Sequence, residues 1–176
     1  YGQPLLPIQI LWLELFIDVS TSVAFEREAE EPGSMAISPR PRRTPLLTNA
    51  LLAQIGLAGG FSALAAVVSL AVHGGGTDHA RWLAFTMLVV AQAVRAYANR
   101  SLTRRVATLA TNRVLLAACL AVVVIQALIP VLAPLAGIFR ASPLDAGEWL
   151  VVVAVALGPL VLAELVRGRS GREWVA

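Results

Sequence analysis

The sequence predicts an all-α integral membrane protein, a bundle of about five transmembrane helices forming one domain over residues 1–176. Three observations carry this. Charged residues make up 14% of the chain and hydrophobic residues 57%, against about 25% and 45–50% in soluble domains, so charge is too scarce to cover a water-facing surface. The few charges are also clustered: Pro45 to His73 contains none with His neutral, and Val114 to Phe139 contains none at all. Finally, the apolar runs are continuous rather than alternating. A bilayer core about 30 Å thick takes roughly 20 apolar residues as helix, and each such segment satisfies its own backbone without barrel closure.

The expected spans are Leu5 to Ala24, Thr48 to Val72, Trp82 to Asn99, Val114 to Leu132 and Glu148 to Val166, with a cytoplasmic loop over residues 25–47. Span one is followed by an acidic cluster (Glu26, Glu28, Glu30, Glu31) and a Pro/Arg stretch from Pro39 to Pro45. This loop reads as a solvated linker held near anionic headgroups by its arginines, with a docking strip for a cytosolic domain as the competing reading. Span two carries Gly56 and Gly60 in GxxxG spacing, which permits close approach of another helix. Gly74-Gly75-Gly76 makes a tight turn into span three. Cys119 in span four is a small packed hydrophobe, and a single cysteine excludes a disulfide scaffold. Near the end of span five, Glu164 is expected to pair at the interface with Arg167 or Arg169.

Arginine sets the orientation. All fourteen basic residues are arginine, and eleven follow span one, span three or span five. Only Arg81 and Arg140 fall in the opposite loops, and Arg95 lies within a span. The positive-inside rule therefore places the loops after spans one and three, and the C-terminus, in the cytoplasm of a cell bounded by this inner or plasma membrane. Five spans put residue 1 outside, yet Tyr1-Gly2-Gln3-Pro4 carries no Met, signal peptide or basic flank to start translocation. Preceding residues with at least one further helix are therefore expected. The pI near 10.0 does not indicate a nucleic-acid partner, because the net charge is only +3. The all-arginine basic set with abundant Ala, Val and Leu points to a GC-rich bacterial genome.

Glu14 and Asp18 lie near the middle of span one, where each charge costs from about 2.5 to over 10 kcal/mol. Their i, i+4 spacing places both carboxylates on one helix face, and Ser20, Thr21 and Ser22 add hydroxyl oxygens directly after. Carboxylates with neutral oxygens make a hard-cation site suited to Ca²⁺, a monovalent cation or a proton. A helix–helix ion pair, or a protonated and hydrogen-bonded acid, is the competing account. Gln92, Arg95 and Asn99 form a polar stripe on span three. Gln92 either lends an amide oxygen to the cation or hydrogen-bonds between helices. Arg95, about 7.5 Å of helix from Arg100, either snorkels to the interface or is a counter-charge to Glu14 and Asp18. His73 and His79, without a third ligand, are a weak metal signal. An intramembrane hydrolase lacks the Ser/His or metal-binding set it needs.

Pro7-Ile8-Gln9-Ile10-Leu11-Trp12, then Asp18, then Met35 and Pro39-Arg40 resemble the sixth transmembrane helix and following loop of P-type cation-transporting ATPases, calcium pumps among them. Thr86-Met87 through Gln92 and Asn99-Arg100-Ser101 resemble the eighth helix; Pro143-Leu144, Trp149 and Pro159 resemble the tenth. The resemblance covers nearly the whole chain and implies the C-terminal membrane domain of such a pump. It implies that Asp18 coordinates the transported cation, that Glu14 stands where calcium pumps have an asparagine ligand, and that Gln92 stands where they have a glutamate. Val19 and Thr21 replace the family's helix-unwinding glycine and proline, Ile17 replaces a threonine ligand, and Arg95 has no family counterpart. The family's D-K-T-G phosphorylation motif and T-G-E actuator motif do not occur here. ATP and Mg²⁺ would therefore bind only in cytosolic domains outside these residues, and this chain alone has no catalytic residues. The partners implied are the lipid bilayer and the remaining helices and cytosolic domains of the pump. The competing function is a stand-alone, non-enzymatic membrane scaffold or accessory subunit derived from such a pump.

Overall fold

The computed structural model describes residues 3–28, 49–100 and 111–169. Within them the secondary structure is entirely helical. The elements are α1 (Pro7–Leu11), a π-helical segment (Trp12–Asp18), α2 (Val19–Phe25), α3 (Asn49–Val72), α4 (Asp78–Ala98), α5 (Arg113–Leu128), α6 (Ala133–Phe139) and α7 (Ala146–Arg169). Met35, Pro39 and most of the loop after α2 lie outside the described residues, as do the side chains of Ser20, Glu164, Arg167 and Arg169.

Helix α4 is the axis of the bundle and packs against α3, α5 and α7. Its 21 residues extend about 32 Å at helical rise. Thr77 caps its start, accepting from the Ala80 N–H at 3.2 Å, which satisfies one of the orphan donors of the first turn. Every residue from Trp82 to Met87 is buried, so this helix is covered on all sides rather than along one stripe. One flank of α4 (Trp82, Phe85, Val89, Ala93) packs with Leu115, Cys119 and Val122 of α5 and with Phe139 of α6. The other flank (Leu83, Met87, Val90, Ala91) packs with Val152 and Ala156 of α7. Cys119 is buried here and donates its thiol to the Ala93 carbonyl at 3.3 Å.

Two cross-links fix the direction of the Pro7–Phe25 segment against α4 and the turn after it, and a third ties its start to α6. Gln9 donates to the Phe139 carbonyl at 3.1 Å, Asp18 meets Gln92, and Glu28 pairs with Arg100. The first span and α4 therefore run side by side in the same direction.

Helix α3 meets α4 through small residues. Ser62, Ala66 and Ser69, at i, i+4 and i+7, are its buried positions among the described side chains. At Gly56, Gly59 and Gly60, by contrast, a Cβ would meet no neighbour within 4 Å among the described residues. The close approach of α3 to α7 is made instead at Gly158, where an added Cβ would lie 3.3 Å from the Phe61 ring. Gly74 (φ 76°) and Gly76 (φ 125°) make the turn from α3 into α4.

The run from Val114 to Leu132 is helical as far as Leu128, in α5, and a turn separates it from α6. Helix α5 has 16 residues, about 24 Å, and α6 follows at 93° to it. Pro130 supplies no N–H to continue the ladder, and Pro134 starts the new helix in the first turn, where proline is tolerated. By length and composition, Ile55–Val72 in α3 is sufficient to cross a bilayer, and the bent pair α5–α6 would be a second if taken as one span. The apolar part of α7 is the shorter run Ala146–Val161. Large apolar side chains cover the outside of the bundle, Leu57 being 75% exposed and Val131 and Leu150 71%. A soluble monomer rarely shows so extensive an apolar exterior.

Candidate cation site

The segment from Pro7 to Phe25 is not a uniform α-helix. Between Trp12 and Asp18 the backbone is wound as a π-helix of seven residues, the wider coil that recurs at functional sites. It contains both sequence-predicted acids, Glu14 and Asp18. Trp12, at the start of this segment, sits edge-on to Phe139 with ring centroids 5.7 Å apart.

Asp18, at the end of the segment, is half-buried against α4. Its Oδ1 accepts from Gln92 Nε2 at 2.6 Å. The Gln92 Oε1 accepts from Arg95 Nη2 at 3.3 Å, and Arg95 Nη1 donates to Ser62 Oγ at 2.6 Å. Ser62 in turn donates its own hydrogen to the Ala58 carbonyl at 3.1 Å, leaving its oxygen free to accept. A polar chain thus runs Asp18–Gln92–Arg95–Ser62 through three helices of an otherwise apolar bundle. Gln92 lies 14 residues into α4 from Asp78, about 21 Å along its axis. The site is therefore in the helical interior, nearer the Arg100 end than the His79 end.

The structure brings together Asp18, Gln92 and Arg95, and adds Ser62. Glu14 is placed differently: it is exposed, and among the described residues it has no hydrogen bond or ion pair. Gln92 presents its amide nitrogen, not its oxygen, to Asp18. Arg95 is half-buried and turned to Ser62 and Gln92. Thr21 donates its hydroxyl back to the Asp18 backbone carbonyl at 3.2 Å, Ser22 is exposed, and Asn99 is an exposed C-cap whose N–H bonds the Arg95 carbonyl.

Sequence reasoning missed Ser62. The available signal was the i, i+4, i+7 run of small and polar residues at 62, 66 and 69, which marks the buried face of α3. It also missed a second polar centre. Glu28 accepts from Arg100 Nη2 at 2.6 Å and Nε at 3.0 Å, and from Asn112 Nδ2 at 2.8 Å. Arg100 also lies 5.1 Å from the Tyr97 ring centroid. The Arg100 hydrogen bond holds the Glu28 carboxyl below its usual range, assisted by Asn112 and opposed by burial.

At the other end of the bundle, His79 bridges Ser142 (Nδ1, 2.7 Å) and Glu148 (Nε2, 2.5 Å). Glu148 and Asp145 cap the start of α7 reciprocally at 2.8 Å. His73 instead bonds the Ser69 carbonyl of its own helix at 3.0 Å. Among the described residues no group of three His, Cys, Asp or Glu side chains is placed to hold a metal ion.

The family profile described as "Cation transporting ATPase, C-terminus" matches residues 2–168. The chain is similar to "Calcium-transporting ATPase 1" of Bacillus cereus, 28% identical over 95% of this chain and 21% of the relative. It is also similar to "Probable cation-transporting ATPase F" of Mycobacterium bovis and of Mycobacterium tuberculosis, 31% identical over 87% of this chain and 18% of each relative. The chain spans about a fifth of the length of these relatives.

Proposed function

This chain belongs to the cation-transporting ATPase C-terminus family, and on that premise we propose that it works as the C-terminal membrane domain of a P-type cation pump. It contributes Asp18 to the transported-cation path and braces that path with the α3–α4–α7 packing. The observation that carries this reading is Asp18 itself. An acid is held half-buried at the end of a π-helical segment, in contact with a glutamine of the central helix. Intramembrane carboxylates are retained at such depth for ion or proton traffic, and a widened helix brings backbone carbonyls within reach of the same ion.

In this reading the chain crosses the bilayer five times, with the Arg100 end cytoplasmic and the His79 end outside. The eleven arginines that follow spans one, three and five in the sequence support that orientation. Glu14 faces helices of the pump that lie outside this chain and supplies a carboxylate to their side of the path. The transported species is a hard cation (Ca²⁺, a monovalent ion or a proton), and ATP and Mg²⁺ bind in the cytosolic domains. The test is the full pump carrying Asp18→Asn. Cation-dependent phosphorylation from ATP should fall at least tenfold, and unchanged cation affinity and turnover would sink the assignment.

A stand-alone scaffold has one observation in its favour. The polar groups of Gln92, Arg95 and Ser62 bond one another, as a purely structural network would. It predicts that Asp18→Asn lowers thermal stability while leaving transport intact.

A further inference from the structure

Gln92 has two faces, a carbonyl that binds cations and an amino group that repels them. The face Asp18 meets is fixed from both sides of the amide, because an ionised carboxylate only accepts and a guanidinium only donates. Arginine has only donors, so the Gln92 atom toward Arg95 must be the oxygen, and the nitrogen is thereby turned to Asp18. The distances agree: Arg95 Nη2 to Gln92 Oε1 is 3.3 Å, and Gln92 Nε2 to Asp18 Oδ1 is 2.6 Å. Arg95 is itself braced. Its Nη1 donates to Ser62 Oγ at 2.6 Å, and the Ser62 hydrogen is committed to the Ala58 carbonyl at 3.1 Å. Every member of the chain thus has its donor or acceptor sense fixed by the next, starting from the backbone of α3.

We propose that Arg95 is a specificity-determining positioning residue, which with Ser62 locks the Gln92 amide so that its oxygen is withheld from the cation at Asp18. The proposal rests on the cation-site reading of Asp18. Its chemical consequence is a site one neutral oxygen poorer than its side-chain inventory suggests. Divalent ions, which need six to eight oxygens in the case of Ca²⁺, lose more from this than a proton, which needs one carboxylate oxygen. The terminal torsion of glutamine is roughly two-fold, so once the guanidinium is gone a cation at Asp18 turns the amide over in exchange for the Nε2–Oδ1 bond, and the oxygen joins the site. Removing the positive charge would also favour a cation at Asp18, and the experiment has to separate the two effects.

The test uses the full pump in membrane vesicles, with phosphorylation from ATP titrated against Ca²⁺, Na⁺ and pH. The cation that drives the unaltered enzyme is then followed in the variants. Arg95→Gln should lower its half-saturating concentration by about 10-fold or more, the scale on which outer-shell partners tune cation sites, with the ATP dependence unmoved. Ser62→Ala, which keeps the guanidinium, should shift it the same way by less, and it serves as well if Arg95→Gln does not fold. In Arg95→Gln/Gln92→Leu the gain should vanish, because it requires the glutamine oxygen. If the gain persists in the double variant, charge removal explains it and the lock is refuted. An unmoved cation dependence in both Arg95→Gln and Ser62→Ala also refutes it. Asp18→Asn reports separately: with Asp18→Asn inactive and the Arg95 variants silent, the lock fails alone. An active Asp18→Asn removes the site on which the lock depends.

Discussion

Glu28 and Arg100, 72 residues apart in sequence, form a forked ion pair in which two guanidinium nitrogens reach one carboxylate. The Arg100 side chain is 2% exposed and that of Glu28 19%, so water screens this pair far less than an open surface bridge. Asn112 completes the clamp with its Nδ2 on Glu28 while its Oδ1 caps α5, accepting from the Leu115 N–H at 3.0 Å. One carboxylate thereby joins the end of the first span, the end of α4 and the start of α5.

Arg100→Ala should loosen all three elements at once. Leaving Glu28 without its main partner costs on the order of 2–3 kcal/mol, below the full penalty of a wholly buried pair. The apparent Tm of the detergent-solubilised protein should drop by roughly 5–10 °C. Glu28→Gln, which keeps an acceptor for Arg100, should lose less.

The same pair sets a pH dependence. The folded-state pKa of Glu28 lies below its ordinary value, Arg100 being the main cause. Its contribution is therefore present above the unfolded value, about 4.3, and fades as pH falls through the lower folded value. Thermal melts between pH 7 and pH 5 should show no loss from Glu28, with loss appearing only below about pH 4.3. In Glu28→Gln this acid-side component should be absent.

Glu14→Gln is expected to separate folding from function. Glu14 is exposed and has no partner among the described residues, so the substitution should change stability of this chain by less than about 0.5 kcal/mol. In the full pump it should weaken cation-driven phosphorylation. A loss of Tm without any change in cation dependence would assign Glu14 to packing.

Thr86 and Gln126 provide a test of interior polarity. Gln126 Nε2 donates to Thr86 Oγ1 at 2.9 Å, and both residues are at most 1% exposed. The Gln126 Oε1 has no partner among the described residues. Thr86→Val strands the amide donor and should cost about 1 kcal/mol, the usual scale for such bonds between helices in a bilayer. Gln126→Leu removes the stranded groups altogether and should be near neutral by the same melt.

Glycine substitutions distinguish contacts made within this chain from those made elsewhere. Gly158→Leu drives a side chain into the Phe61 ring, 3.3 Å from a Cβ at that position, and overpacking of this kind costs about 1–3 kcal/mol. Gly56→Ala and Gly60→Ala meet no neighbour among the described residues and should hold or slightly raise stability through helix propensity. Thermal melts of this chain and transport by the full pump, measured side by side, report whether another helix uses that face.

Helix existence was legible because it follows from apolar runs, which act over many residues. The site was legible in part. Asp18 and Gln92 stood out as polar groups in apolar helices, but their bond depends on the rotation of the first span, which a π turn resets and no residue pattern announces. The interior partner of Arg95 was not legible either. A serine in an apolar helix ordinarily satisfies itself against its own backbone, and Ser62 does so while also accepting from the guanidinium. The turn after α5 holds Pro130, and Pro134 stands in the first turn of α6, two prolines that mark the chain's change of direction.

Gln9 fixes the phase of the first span against Phe139, and Asp18 and Glu28 fix it against Gln92 and Arg100. The Trp12–Asp18 coil lies between these two sets of fastenings. A π turn carries more chain per revolution than an α turn, so this stretch works as a vernier between two scales that would otherwise not line up. A one-residue deletion inside it can be absorbed by winding back to the α form, with both sets of fastenings kept. The same deletion in α4 has no such reserve and would turn Gln92 and Arg100 out of register together.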